Sequence, residues 1–104
     1  MPLFGRKQHA QTSAADEFFR PLAETQPRVR THVRGQVFRL KLRPSAGLPS
    51  LEVTITDDSG SVTVIWTGRR AIAGIALGRR IIVTGVPIQR DGGLVFLNPW
   101  YQLL

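Results

Sequence analysis

The side chains that could carry out covalent or metal chemistry are few and scattered in this chain. Its two histidines are His9, near the N-terminus, and His32, among arginines, and it contains no cysteine. Neither histidine has neighbours that would complete a nucleophilic triad or a metal-binding cluster, so we expect a polar surface role for both. The lack of cysteine excludes a disulfide framework, a thiolate zinc site and a cysteine nucleophile.

The adjacent carboxylates of Asp57 and Asp58 belong to the sequence Asp-Asp-Ser-Gly, which is typical of a tight turn. A calcium loop needs more oxygen ligands at set spacing, and Gly68 stands where the last carboxylate should be. The sequence offers no acid–base pair and no Gly-x-x-x-x-Gly-Lys phosphate loop. We therefore expect a protein that is not an enzyme and that uses no cofactor or metal.

The chemistry that the sequence does offer is positive charge. The chain has 14 Lys and Arg against 7 Asp and Glu in 104 residues, for a formal net charge of +7. Residues 1–27 are neutral overall, so residues 28–104 hold the entire excess. Nearly all the basic residues are arginine, which pairs with phosphate through two bonds and stacks on bases. An arginine-rich genome would explain that choice of residue but not the net charge.

From residue 28 apolar and polar residues alternate, which is typical of a β-strand with one buried face. Two sets of inward residues are offset by one position: Val29, Thr31, Val33, Gly35 and Val37, then Phe38, Leu40 and Leu42. Since such a slip turns every later side chain to the wrong face, we predict a β-bulge at Val37–Phe38. The segment is then one long, bent strand with a basic outer face, as in a sheet that curls into a small barrel.

Turn-forming sequences separate four further predicted strands, at residues 51–55, 62–66, 79–89 and 94–103. We expect a loop at residues 43–50, a short helix or turn within 67–78, a bend at Gly85 and Pro87, and an interruption at Pro99. Residues 1–20 are predicted to be a flexible or partly helical tail, with one or two helical turns within 16–23. Residues 21–104 would then form a single all-β domain of order β-β-β-α-β-β.

That order is the arrangement of the OB-fold, a five-stranded Greek-key barrel. The segment Asp57-Asp-Ser-Gly-Ser-Val-Thr-Val-Ile-Trp66 resembles the second and third strands of bacterial tRNA-anticodon-type OB domains, and Gly78-Arg-Arg-Ile-Ile-Val-Thr-Gly85 resembles their fourth. Leu94-Val-Phe-Leu-Asn-Pro-Trp-Tyr101 is similar to the fifth strand in the wedge domain of RecG-type helicases. Over residues 21–104 the chain resembles small stand-alone bacterial OB-fold proteins. The resemblance implies a five-stranded barrel that binds nucleic acid, without the helicase motor.

The residues expected to contact nucleic acid are basic: Arg30, Arg34, Arg39, Lys41 and Arg43 on the first strand, Arg69 and Arg70 beside the predicted helix, and Arg90. Arg90 belongs to a loop that, with residues 43–50, would frame the groove of an OB-fold. Aromatic rings are a weaker signal, because Phe38, Trp66 and Phe96 share the phase of the core. Trp66 and Trp100 are still the candidates for stacking on bases. Trp100 and Tyr101 are expected at the seam that closes the barrel.

These features predict non-enzymatic binding of single-stranded or branched DNA, with little sequence specificity and with RNA as a further ligand. The alternative is a protein-interaction module whose arginine-rich face docks an acidic partner. A site for a small anion or an oligosaccharide has less support, because no pocket-forming motif is visible. With no long apolar run and no hydrophobic signal region, we expect a cytoplasmic protein that does not enter a membrane. The resemblance implies that it is bacterial.

Overall fold

The computed structural model describes residues 19–45 and 47–104, and these residues form an all-β fold, as the sequence predicts. A short 3₁₀-helix, Leu22–Glu24, precedes the strands. The strands are β1 Thr31–Ser45, β2 Leu48–Thr56, β3 Ser61–Thr67, β4 Arg80–Gly85, β5 Ile88–Arg90, β6 Gly93–Leu97 and β7 Trp100–Leu103. This part of the chain contains no helix with the length and apolar character of a membrane span.

All the strands belong to one sheet, in the order β5-β6-β3-β2-β1-β4-β7. The long central strand β1 pairs antiparallel with β4 through its first half and with β2 through its second half. At the two sides, β6 runs parallel to β3 and β7 runs antiparallel to β4. The hydrogen-bonded order therefore has two ends, β5 and β7, and is not the closed ring of five strands that the sequence predicts.

The strand count differs from the prediction because a proline divides each of the last two predicted strands. The predicted strand 79–89 becomes β4 and β5, which are separated by Val86 and Pro87. The predicted strand 94–103 becomes β6 and β7, which are separated by Asn98 and Pro99. Proline has no N–H to donate to a ladder, so each strand is interrupted there. At Pro99 the chain also changes its pairing partner, from β3 for β6 to β4 for β7.

Two predictions about the connections are wrong in whole or in part. The predicted loop 43–50 is mostly strand, since β1 extends to Ser45, β2 begins at Leu48, and the two pair up to that point. Of the short helix or turn predicted within 67–78, turns form and the helix is absent, because Gly68, Gly74 and Gly78 adopt φ values of 74°, 86° and 85°. This left-handed conformation cannot continue a right-handed helix. The segment still covers the core with two buried side chains, Ile72 and Ile75.

Residues 19–30 lie beside the sheet and include no α-helix. Residues 1–18, which include most of the predicted tail and the start of the predicted helical turns, lie outside the described residues. Only the 3₁₀-helix forms after Pro21, and it places Leu22 in the core with 2% of its surface exposed. The Leu22 backbone N–H donates to Asp57 Oδ2 at 2.9 Å, which ties this segment to the turn between β2 and β3.

The predicted bulge is confirmed, because the pairing of β1 with β2 shifts register between Val37 and Arg39. Phe38 is the extra residue, and its side chain is 62% exposed, so its predicted place in the core is wrong. Leu42 is 57% exposed as well, near the hairpin end, whereas Leu40 packs against the core as expected. At Gly35 a Cβ atom would lie 2.9 Å from the carbonyl oxygen of Thr56, so only glycine fits there.

The core consists of the inward residues of the paired strands. It includes Val33, Val37, Val53, Ile55, Val62, Val64, Trp66, Ile81, Val83 and Phe96. Burying each of these aliphatic or aromatic side chains contributes about 1.5–3 kcal/mol, so the core fixes which residues must face outward. The outer positions of β1 are thereby set by its sequence and by the bulge.

Candidate nucleic-acid interface

Three basic side chains follow one another on the outer side of β1, beyond the bulge. Arg39, Lys41 and Arg43 are exposed and occupy alternate positions, so they share one face of the strand. Their partners across β2 are Thr54, Glu52 and Ser50. We call Arg39, Lys41 and Arg43 the basic row. In this part of β1 every second residue is an exposed cation.

Glu52 is the acidic side chain set against the basic row. It lies opposite Lys41 in the register, and its Oε1 is 3.3 Å from Nε of Arg43. Arg43 is exposed and Glu52 is half-buried, and ion pairs at the surface contribute about 0–1 kcal/mol to stability, so Arg43 can exchange Glu52 for another anion at little cost. Within the described residues neither Arg39 nor Lys41 has an ion pair, and both can meet an anion directly.

Arg70 is brought to the end of the basic row although it lies well apart in the sequence. Arg43 and Arg70 both line a shallow pocket of about 330 Å³ near the β1–β2 turn. The remaining lining residues are Leu42, Pro44, Gly47, Leu48 and Pro49. Two guanidinium groups therefore stand beside an apolar floor at this end of the sheet. Arg69, which precedes Arg70 in the sequence, is exposed but does not line the pocket.

The outer face next to the basic row has no aromatic ring on β2 or β3. The register places Thr54 opposite Thr63 and Glu52 opposite Ile65, as the alternation in the sequence predicts. The parallel pairing then sets Leu97 of β6 beside Ile65. Apart from Glu52 this area consists of small and aliphatic side chains, so it can accommodate a chain bound by the basic row but has no ring on which a base could stack.

The other basic residues of β1 lie before the bulge and have different surroundings. Arg30 is exposed just ahead of the strand. Arg34 is half-buried, and its guanidinium carbon lies 4.8 Å from the centre of the Phe19 ring, a cation–π geometry. The structure therefore does not bring all five predicted basic residues of this strand to one surface, because β1 pairs with β4 before the bulge and with β2 after it.

Arg90 lies far from the basic row. It is the last residue of β5, which is an edge strand. Three strands, β6, β3 and β2, lie between β5 and β1. Four strand spacings amount to about 19 Å across the sheet. Arg90 can extend a contact surface only for a ligand that crosses the whole face.

The two tryptophans have different environments. Trp66 is only 6% exposed, its indole N–H donates to the Pro99 carbonyl oxygen at 3.4 Å, and Tyr101 packs edge-on at 5.4 Å between ring centres. It cannot stack on a base, so that candidate is wrong. Trp100 is 59% exposed and is available. Sequence reasoning missed Phe38, although a ring at the predicted bulge was the signal that could have found it.

Asp57 organises the turn between β2 and β3. Its Oδ1 accepts hydrogen bonds from the Ser59 N–H, the Ser59 hydroxyl and the Gly60 N–H at 2.7, 2.6 and 3.1 Å. Partial burial raises the pKa of Asp57, but these bonds and the one from Leu22 outweigh it and hold the pKa below its ordinary value. No group of three or more metal-ligating side chains occurs in residues 19–45 and 47–104.

No protein-family model matches the sequence, and no curated protein matches it either.

Proposed function

We propose that this protein binds nucleic acid without catalysing a reaction, through the phosphate backbone and with the basic row as the central contact. The observation that carries the proposal is the exposure of Arg39, Lys41 and Arg43 on one side of β1, with Glu52 as the acidic residue that faces them. Phosphates are the anions that such a row fits, because regularly spaced cations match a regularly charged polymer.

The net charge supports a polyanionic ligand rather than a single small anion. The chain has a formal charge of +7, and the basic row with Arg70 accounts for four exposed cations at one end of the sheet. For each phosphate of a single strand that is neutralised, the logarithm of the affinity falls by about 0.7 per logarithmic unit of salt. A small anion would engage one or two of these residues and would show a much shallower dependence.

The fold that we propose for residues 21–104 is an OB-type barrel of the Greek-key kind. Two observations support it. β6 and β7 follow each other with only Asn98 and Pro99 between them. β6 pairs with β3 and β7 pairs with β4, which are the two outer strands of the run β3-β2-β1-β4. Taken as two halves of one strand, β6 and β7 complete the strand neighbours of an OB-fold. This architecture commonly binds oligonucleotides on its outer face.

Single-stranded or branched DNA is the ligand that we favour over duplex. Exposed rings, Phe38 at the bulge and Trp100 on β7, offer stacking to unpaired bases, and a duplex keeps its bases inside. The threonines of β2 and β3 provide no pattern of donors that would read a base sequence, so we propose little sequence preference. RNA has the same backbone charge and bases, and it is a further ligand of the same surface.

An acidic protein partner is the second candidate. The apolar pocket between Arg43 and Arg70 favours it, since Leu42 and Leu48 are both more than half exposed there. An acidic segment with an apolar side chain would satisfy both features. It would bind one end of the basic row and would compete with nucleic acid for Arg43.

The test is a fluorescence-anisotropy titration of the native chain against single-stranded, forked and duplex DNA and single-stranded RNA. The variant Arg39→Ala/Lys41→Ala/Arg43→Ala should lose most of the affinity for every ligand. Its thermal unfolding should change little, because the replaced side chains are exposed and the lost ion pair contributes about 0–1 kcal/mol. No binding of any nucleic acid at low salt by the native chain would sink the proposal and leave the acidic partner as the stronger candidate.

A further inference from the structure

A second outer surface lies on β1, β4 and β7, away from the basic row. The strand register arranges its outward residues in three rows. The rows are His32–Thr84–Trp100, Arg34–Ile82–Gln102 and Gln36–Arg80. We call these outward residues the Trp100 face.

The alternate residues of the same strands fix which way this face points. Val33, Ile81 and Val83 are at most 1% exposed, and Tyr101 packs against the core. Trp100 and Gln102 therefore lie on the opposite side of β7. In the first row His32 Nδ1 and Thr84 Oγ1 are 2.8 Å apart, so a side-chain hydrogen bond joins β1 to β4 beside Trp100.

The ring of Trp100 is more exposed than those of the aromatic residues beside it. It is 59% exposed and has no hydrogen bond or ring contact within the described residues, whereas Trp66 and Tyr101 fill the core beside it. Its backbone is nevertheless fixed, because Pro99 precedes it and β7 is paired with β4. A ring that is exposed on a rigid strand is the kind of platform on which an unpaired base stacks.

A cation lies within reach of that platform. Arg80 is exposed in the third row, and strand rise and spacing put its Cα about 14 Å from the Cα of Trp100. Asp57 and Asp58 line a pocket of about 370 Å³ with Arg34 and Arg80. They lie at the end of the face away from Trp100, since Gln36 and Arg80 form the last of the three rows.

We propose that the Trp100 face binds the bases of single-stranded nucleic acid, with one base stacked on Trp100 and a phosphate of the same strand bound by Arg80. This inference rests on the proposed function and adds a second contact to it. Because β1 contributes to both surfaces, a strand bound by the basic row can pass the exposed Phe38 at the bulge and reach Trp100. The basic row then binds backbone, and the Trp100 face distinguishes unpaired from paired bases.

The first experiment follows tryptophan fluorescence during titration with single-stranded oligothymidylate. A base that stacks on the exposed indole quenches its emission, so the native chain should lose fluorescence as it binds. The variant Trp100→Phe retains only the buried Trp66 and should bind with little quenching. Quenching of the same size in native chain and variant contradicts the inference.

The second experiment measures affinity for the same oligonucleotide by anisotropy. Trp100→Ala should weaken binding about tenfold, within the range found when one stacking ring is removed, and Trp100→Phe should restore most of it. Leu77→Ala is the matched control, because it removes a 66% exposed apolar side chain elsewhere and should leave affinity unchanged. Equal thermal unfolding midpoints show that both variants are folded.

The outcomes separate the inference from the proposed function. If Trp100→Ala binds as tightly as the native chain while the alanine variant of the basic row does not, the inference is overturned and the proposed function stands. If the native chain binds no nucleic acid at low salt, both are overturned; if it binds duplex but no single strand, only the inference is overturned. If Trp100→Ala weakens single-strand binding but leaves duplex binding unchanged, the assignment of bases to this face is supported.

Discussion

Removing the negative charge of Glu52 should strengthen nucleic-acid binding, and removing that of Glu24 should not. Both residues form an ion pair with an exposed arginine, the half-buried Glu52 with Arg43 at 3.3 Å and the exposed Glu24 with Arg20 at 3.7 Å. Glu52→Gln and Glu24→Gln therefore make the same change in net charge and each break one surface pair. They differ in position, because only Glu52 lies opposite the basic row.

The magnitude follows from the register. Glu52 faces Lys41 across neighbouring strands, so a phosphate bound by Lys41 would lie about 7 Å from the carboxylate. At that distance a repulsion of about 0.6 kcal/mol is expected in bulk water and about 2.4 kcal/mol at an effective dielectric of 20. A value near 1 kcal/mol corresponds to about fivefold tighter binding. Arg43, released from its partner, can add one phosphate contact and steepen the salt dependence by about 0.7.

Glu24 is too distant to have this effect. Its 3₁₀-helix is hydrogen-bonded to Asp57. Asp57 is five residues after Glu52, which is about 17 Å along the direction of β2. That distance exceeds the Debye length of about 8 Å at physiological salt, so Glu24→Gln should change affinity less than twofold. The assay is anisotropy titration with a labelled single strand at several salt concentrations. Equal effects of the two substitutions would refute the argument, because they would mean that binding responds to net charge and not to the basic row.

Three further outcomes are expected. Asp57→Asn places an amide donor against the Leu22 N–H and should lower the free energy of unfolding by about 1–2 kcal/mol at neutral pH. Because the pKa of Asp57 is lowered in the fold, the difference in unfolding free energy between variant and native chain should shrink as the pH falls below the ordinary carboxyl pKa. Asn98→Ala should cost about 1–3 kcal/mol in urea denaturation, because it loses the 2.9 Å acceptor for the Thr67 N–H and leaves alanine at a φ of 46°. Phe38→Ala should leave unfolding unchanged but weaken single-strand binding in anisotropy titrations, since its ring is 62% exposed.

Much of the fold could be predicted from alternation alone. The period of two located β1 and the inward residues of β2 and β3, and the change of phase located the bulge within one residue. These features are local, because a buried face requires apolar side chains at every second position. The same rule assigned Phe38 to the core, because alternation cannot say which residue at a bulge leaves the ladder and becomes exposed.

Other features depend on contacts that a sequence pattern does not contain. The sequence predicts a short helix or turn within 67–78, and the segment folds as turns because Gly68, Gly74 and Gly78 adopt left-handed backbone conformations. Whether Trp100 or Tyr101 faces the core was undecided, because Pro99 breaks the alternation before them. The division of the basic residues of β1 between two surfaces follows from its change of partner, which is a tertiary property.

The most direct test of the central claim is the salt dependence of single-strand binding by the native chain and by Arg39→Ala/Lys41→Ala/Arg43→Ala. Binding through phosphate contacts predicts that the logarithm of the affinity falls linearly with the logarithm of salt concentration. Removing three contacts at about 0.7 each should make that slope shallower by about 2. The same slope in both proteins, or an affinity of the native chain that does not depend on salt, would contradict the assignment of the basic row as the phosphate-binding surface.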